Sequence, residues 1–144
     1  MLVKADVSLV GPKGNVSGTA LVDTGASITL LDEEAADRIG ARLVGRCTRL
    51  VVADGHEVSG ELAIVDKLII EGEELPGAHV VVLRFPSEIK ERLKAHGLSD
   101  WCIVGLSALE ILGLAANVAK GRVEKVGSFL LTAINTRSRS RRIC

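Results

Sequence analysis

The chain has 144 residues, a length that fits one domain with a buried core. Its 18 lysines and arginines balance 18 aspartates and glutamates, so the charge gives no support for binding nucleic acid or an acidic membrane. Hydrophobic residues make up 47% and aromatic residues only 2%, which indicates a core of Val, Leu, Ile and Ala. No apolar run reaches membrane-spanning length and the first residues do not resemble a signal peptide, so we expect a cytoplasmic protein.

The cysteines are Cys47, Cys102 and Cys144. Their odd number and wide spacing fit neither a disulfide framework nor a zinc site, and we expect no metal and no cofactor. Cys102 lies in an apolar run and is most simply a core residue. Catalysis by a cysteine and a histidine stays open as a minor alternative, although no pattern places a histidine beside a thiol.

Hydrophobic alternation predicts a first strand over residues 3–10 and, after a Gly-Pro turn, a second strand over residues 16–22. Asp32 is the predicted cap of a short helix that stops at Gly40. The dipeptide Asp54-Gly55 is a strong turn signal, and it predicts a hairpin that spans about residues 46–70. A further strand is expected over the apolar run that ends at Leu83.

The next segment, about residues 87–97, predicts a surface helix with Ser87 as its cap and Gly97 as its stop. Ile89 and Leu93 share one face of this helix. We expect the helix to pack on the outer sheet rather than gate a cleft, and we expect Trp101 to bury against it.

Lys120-Gly121 predicts another hairpin, and residues 129–134 are expected to form a last strand. The domain is therefore expected to cover residues 1–134. Residues 135–144 form a basic tail, which we expect to be disordered. Contact of this tail with nucleic acid or an acidic partner is the minor alternative.

The most informative segment is Asp23-Thr24-Gly25-Ala26, which lies between two apolar runs. Two carboxylates that face each other share one proton, so that one can act as base and the other as acid on a water molecule. The Asp-Thr-Gly tripeptide occurs once, so the second acid would have to come from a second, identical chain. By itself the tripeptide is also compatible with an ordinary turn at the end of a strand.

Ile103-Val104-Gly105 ends a second apolar run and leads into a short helical stretch. Together with Asp23-Thr24-Gly25, this segment resembles the retropepsin-like aspartic proteases, and the resemblance runs from about Val7 to Val126. It looks closest to the protease domain of the DNA-damage-inducible ubiquitin-shuttle proteins, over residues 31–45 and 67–76.

The resemblance implies an all-β acid-protease barrel with short helices, one lobe per chain, in a C2 homodimer. It implies an aspartic endopeptidase that cleaves extended peptides or unfolded proteins at apolar sites without a cofactor. The chain ends would interdigitate across the dimer axis, which makes the first and last strands candidate interface strands. The implied site residues are the catalytic Asp23, the loop residues Thr24, Gly25 and Ala26, the strand Ile103, Val104 and Gly105, the flap tip Asp54 and Gly55, and the pocket residue Ile28.

The sequence departs from the retroviral pattern at two positions. Ser27 and Leu106 stand where retroviral members carry an acid and an arginine that form an ion pair near the dimer interface. Because both partners are missing, no buried charge is left alone. The alternative function is a non-catalytic dimeric module that uses the same fold for binding or as a scaffold.

Overall fold

A computed structural model describes residues 2–51, 55 and 57–127 of the chain. Strands dominate this part of the chain, so the all-β class predicted from the sequence is confirmed. The strands are β1 (Val3–Gly11), β2 (Gly14–Val22), β3 (Thr29–Asp32), β4 (Arg42–Val51), β5 (Glu57–Ile70), β6 (Glu73–Leu83), β7 (Cys102–Val104), β8 (Leu114–Asn117) and β9 (Arg122–Lys125). The helices are α1 (Glu33–Ile39), α2 (Ser87–Ala95) and α3 (Leu106–Leu112).

The strands form one sheet in the order β4-β5-β6-β3-β7-β2-β1-β9-β8. An additional antiparallel pairing between β1 and β5, with Val7 opposite Ile70, closes part of this sheet into a barrel. β1 therefore pairs with β2 along one edge and with β5 and β9 along the other. Both hydrogen-bonding edges of β1 are thus used within the chain, and a role of the first strand at a dimer interface stays a prediction.

The core fills the barrel with aliphatic side chains, as the composition predicts. Along β1 the side chains alternate strictly, so that Val3, Ala5, Val7 and Leu9 point inward. Cys102 is fully buried in the same cluster, and this burial raises the pKa of its thiol to about 12. Cys102 is thus confirmed as a core residue, held as an unreactive neutral thiol.

The predicted surface helix is present as α2, and a second, smaller cluster attaches it to the barrel. Its buried members are Phe85, Leu93 and Leu98. Trp101 is half-buried and packs against the main core, so the expectation that it buries against α2 is wrong. Gly97 has φ 72° just beyond the helix, as its role of stop residue requires.

The ends of some elements differ from the predictions for local reasons. Ser87 is the first helical residue rather than the cap, and Pro86 occupies the cap position without a side-chain hydrogen bond. β4 begins at Arg42 because a register shift between Leu43 and Cys47 lets the strand continue through an irregular stretch. β8 and β9 confirm the hairpin at Lys120-Gly121, whereas residues 129–134 and the basic tail lie outside the described residues.

Asp32 connects three parts of the chain through a carboxylate that is only 2% exposed. It caps α1 by accepting from the Glu34 N–H at 3.3 Å, as predicted. It also accepts from the buried N–H of Phe85 at 2.8 Å and from Lys90 Nζ at 3.3 Å. The side chain therefore ties α1 to the segment that precedes α2 and to α2 itself.

Replacing Asp32 by Ala should reduce the free energy of unfolding by about 3 kcal/mol, because it leaves the Phe85 N–H and the Lys90 ammonium without their partner. Urea denaturation of the purified protein measures this loss. The matched control is Asp37→Ala, at an exposed acid on the same helix, which should change stability by less than about 0.5 kcal/mol. Equal losses in the two variants would contradict the connecting role of Asp32.

Candidate active site

Asp23 lies at the point where β2 leaves the barrel. Val22 is buried, Asp23 is exposed, and the loop that follows (residues 23–28, here the Asp23 loop) leads into β3. The Asp23 N–H donates to the carbonyl oxygen of Val104 on β7 at 2.9 Å. The Ala26 N–H donates to the Asp23 carbonyl oxygen at 3.0 Å, which makes a tight turn. The carboxylate is thus presented to solvent from a backbone that is fixed on both sides.

The Asp23 carboxylate itself is oriented by the loop. The Gly25 N–H donates to Asp23 Oδ1 at 2.9 Å. A Cβ atom at position 25 would lie 3.1 Å from the same oxygen, which is closer than most side chains tolerate. Glycine at this position therefore leaves room around the carboxylate, while its N–H holds one of the two oxygens in place.

The Asp23 loop is bound to the start of α3 by main-chain hydrogen bonds. The Leu106 N–H donates to the Ala26 carbonyl oxygen at 2.8 Å, and the Ser107 N–H donates to that of Ser27 at 3.0 Å. Ser27 and Leu106 are the two positions that lack the retroviral ion pair. Here the backbone joins the two segments, so this contact does not depend on charged side chains.

Gly105 makes the closest contact between these two segments. A Cβ atom there would lie 2.3 Å from the carbonyl carbon of Ile28, so only glycine fits without a shift of the backbone. The Gly105 N–H donates at 3.1 Å to Oγ1 of Thr29, a side chain that is only 1% exposed. Sequence reasoning missed Thr29, although a hydroxyl inside the apolar run 28–31 was an available signal.

A cleft of about 620 Å³ opens beside Asp23. Asp23 is the single acidic side chain among its lining residues in the described part of the chain. The lining residues are Leu2, Leu21, Asp23, Gly25, Ala26, Ser27, Leu30, Arg49, Leu50, Val51, Ile89, Arg92, Leu93, His96, Leu98 and Ile103. The floor is mostly aliphatic, so the cleft suits an apolar side chain next to a carboxylate.

The structure brings together some of the predicted site residues and not others. Asp23, Gly25, Ala26 and Ile103 line the cleft. Thr24 is exposed on the Asp23 loop, and Val104 and Gly105 support that loop from behind. Ile28 does not line the cleft of the single chain, and its backbone lies against Gly105.

The predicted flap hairpin is formed by β4 and β5, which pair from Arg42 opposite Ile64 to Val51 opposite Glu57. The residues of this hairpin that line the cleft are Arg49, Leu50 and Val51, toward the end of β4. Gly55 is exposed with φ 90°, whereas Asp54 lies outside the described residues. The flap role of this hairpin stays a prediction.

One wall of the cleft comes from α2. Ile89, Arg92, Leu93 and His96 all line it. The helix packs on the sheet, as expected, and in addition borders the cleft. The helix packs through its small apolar cluster and faces Asp23 at the same time, because Leu21, Leu30 and Ile103 belong both to that cluster and to the cleft lining. No local sequence pattern indicates that residues so far apart along the chain meet.

Within residues 2–51, 55 and 57–127, no group of three or more His, Cys, Asp or Glu side chains is placed to hold a metal ion. No helix in these residues is both long enough and apolar enough to cross a membrane.

Comparisons with known proteins identify a family and a shared fold. A sequence profile described as "Aspartyl protease" matches residues 5–108, which is more than half of the chain. No curated protein sequence matches the chain. Among solved structures, the chain is similar to EIAV protease complexed with the inhibitor HBY-793, with 18% identity and a TM-score of 0.50. That match covers 76% of this chain and 86% of the EIAV protease chain, and it shows a shared fold.

The hydrogen bond between Gly105 and Thr29 should be required for stability. Thr29→Val keeps the side-chain shape but leaves the buried Gly105 N–H without an acceptor, so the free energy of unfolding should fall by about 1–3 kcal/mol. Urea denaturation provides the measurement, with Thr48→Val on β4 as the control for the same chemical change. The prediction fails if Thr29→Val is as stable as the wild-type protein.

Proposed function

This chain belongs to the retropepsin-like family of aspartyl proteases, and from that membership we propose that it is an aspartic endopeptidase acting on extended peptides or unfolded proteins. Family and fold together support a peptidase. The observation that carries the proposal is the exposed Asp23 carboxylate, oriented by Gly25 at the edge of an apolar cleft. This is the arrangement that a carboxylate needs to act on a water molecule beside a bound peptide.

The active site is completed by a second copy of the chain. Aspartic protease chemistry uses two carboxylates that share a proton. Since Asp23 is the only acid that lines the cleft in the described residues, the second carboxylate comes from the Asp23 of another chain. In a C2 dimer the two loops meet on the axis, and each chain supplies half of the site.

Exposed apolar side chains give this proposal a second line of support. Ile111 on α3 is 69% exposed, while Val118 and Val126 at the ends of the β8–β9 hairpin are each 59% exposed. Leu106, beside the Asp23 loop, is 37% exposed. Apolar surface that forms one patch marks sites of association, so we place these side chains at the contact with the second copy.

The reaction follows from the shared proton. The ionised Asp23 of one chain removes a proton from a water molecule held between the two carboxylates, and the water oxygen bonds to the peptide carbonyl carbon. The neutral Asp23 of the other chain donates its proton to the carbonyl oxygen. The resulting tetrahedral intermediate expels the amine as the C–N bond breaks, and that nitrogen takes up the proton held by the first carboxylate. One hydroxyl group of the intermediate returns its proton to the second carboxylate as the C=O bond re-forms. The two carboxylates again share one proton at the end.

The substrate lies across the cleft in an extended conformation, held by main-chain hydrogen bonds. Aliphatic side chains of the cleft floor, such as Leu21, Leu30 and Ile103, accept apolar residues next to the scissile bond. The β4–β5 hairpin acts as the flap that closes over the peptide. The residues toward the end of β4 already form one side of the cleft.

A non-catalytic dimeric module that binds peptides is the second candidate. It is favoured by Ser27 and Leu106, which lack the ion pair found in retroviral enzymes. Such a module would bind extended peptides in the same cleft without cutting them. Cleavage by the wild-type protein therefore separates the two candidates.

Asp23→Asn should abolish peptide cleavage, with a loss of at least about a thousandfold, because an amide can be neither the base nor the acid. The assay follows cleavage of reduced and alkylated insulin B chain by mass spectrometry between acid and neutral pH. Asp37→Asn, at an exposed acid outside the cleft, is the control and should retain full activity. Cleavage by a folded Asp23→Asn protein would exclude the mechanism, and a folded wild-type protein that binds but never cuts would favour the binding module.

If the site needs two copies, an excess of inactive chains should lower the activity of the wild-type protein by forming mixed dimers with it. Addition of a tenfold excess of Asp23→Asn to the wild-type protein should lower the activity by about tenfold, because most wild-type chains then sit in mixed dimers. The substrate is kept in large excess over both proteins, so that sequestration cannot explain the loss. Wild-type activity that is unaffected by the inactive chain, at concentrations where chains exchange, would contradict the shared site.

A further inference from the structure

One face of α2 is turned toward the cleft. Ile89, Arg92, Leu93 and His96 all line it, and their spacing of three and four residues places them on the same side of a helix. Leu93 is buried and Ile89 is half-buried against the barrel, whereas Arg92 and His96 are exposed. The helix therefore offers the cleft an apolar stripe and, beside it, a stripe that carries positive charge.

The cations of α2 that do not line the cleft are paired with acids, whereas Arg92 pairs with no acid among the residues that the structure describes. Lys90 Nζ lies 3.3 Å from Asp32, and Lys94 Nζ lies 3.4 Å from Asp100. Arg92 has no acidic partner within the described part of the chain. Its guanidinium is therefore available to a carboxylate that enters the cleft, and this group can bind a carboxylate through two parallel hydrogen bonds.

The rest of the cleft adds to this positive surface. Arg49 lines the cleft from β4 and makes a 4.0 Å contact with Glu57, in which both side chains are highly exposed, at 80% and 62%. Such a contact neutralises Arg49 only weakly. The His96 Nδ1–H donates to the Arg92 carbonyl oxygen at 2.9 Å, which fixes the ring against the helix. Among the lining residues that the structure describes, Asp23 is the one acidic side chain that accompanies these groups.

We propose that the cleft selects peptides that carry Asp or Glu beside an apolar residue close to the scissile bond, and that Arg92 determines this specificity. The apolar side chain packs on the aliphatic floor, and the acidic side chain reaches the guanidinium on the α2 wall. As far as cleavage is concerned, the proposal rests on the peptidase function proposed above. In a C2 dimer both halves carry the same wall, so an acidic residue is recognised on either side of the cut.

The test uses leucine-rich peptides with a hydroxyethylene isostere in place of the scissile bond, so that they bind without being cut. Members of each pair differ only by Glu or Gln, placed in turn at the three positions on either side of the isostere. Fluorescence anisotropy gives the dissociation constant for the wild-type protein and for Arg92→Gln, Arg92→Glu and Lys94→Gln. Lys94→Gln is the matched control, since it removes one charge from the same helix at a position that does not line the cleft.

At one or more positions, Glu should bind the wild-type protein and Lys94→Gln about fivefold more tightly than Gln does. Arg92→Gln should abolish this preference without weakening the Gln peptides, and Arg92→Glu should reverse it. A preference for Glu at no position, or one that survives in Arg92→Gln, would overturn the proposal. Unchanged thermal unfolding of each variant shows that it is folded.

Hydrolysable versions of the same peptides separate the two proposals. If Glu peptides bind preferentially but no peptide is cleaved, the proposed peptidase function is wrong and the proposed recognition of acidic residues by Arg92 stands. If the Glu and Gln peptides bind equally and are cleaved at equal rates, the proposed recognition of acidic residues by Arg92 is wrong and the peptidase function stands. If no peptide of the set binds, both proposals are wrong.

Discussion

The contact between the Asp23 loop and the segment that joins β7 to α3 is the constraint on which the site depends. Gly105 has no side chain, so its backbone lies directly against Ile28 and its N–H bonds to Thr29. Main-chain hydrogen bonds from Asp23, Leu106 and Ser107 continue this contact along the whole loop. Because the groups involved are mostly backbone, the position of the Asp23 carboxylate depends on the barrel and little on the identity of the neighbouring side chains.

The same barrel holds α2 over one side of the cleft. The helix is attached by the small cluster around Phe85, Leu93 and Leu98, and by the ion pair between Lys90 and the buried Asp32. A buried carboxylate is tolerated only when its partners are complete, and those of Asp32 come from two helices and the segment between β6 and α2. Asp32 is thus a structural acid that positions the wall, while Asp23 is the exposed acid that faces the cleft.

Much of the fold could be predicted from the sequence because its signals are local. Alternation along β1, the Asp32 cap, the Gly40 and Gly97 stops and the glycine-containing turns each depend on a few neighbouring residues. The error concerns a contact between residues on different elements. Trp101 is expected beside α2 because it follows that helix in the sequence, whereas it packs on the main core.

The sequence by itself determined the family, the position of the Asp23 loop and the apolar segment beside it, since a short motif between two strands suffices for these. It also identified α2, because capping and stop signals are read from adjacent residues. Only the tertiary structure decided that α2 forms a wall of the cleft, that Thr29 supports Gly105 and that Asp32 joins three elements. These contacts depend on how the sheet closes and which strands become neighbours, and closure is a property of all the strands together rather than of any one segment.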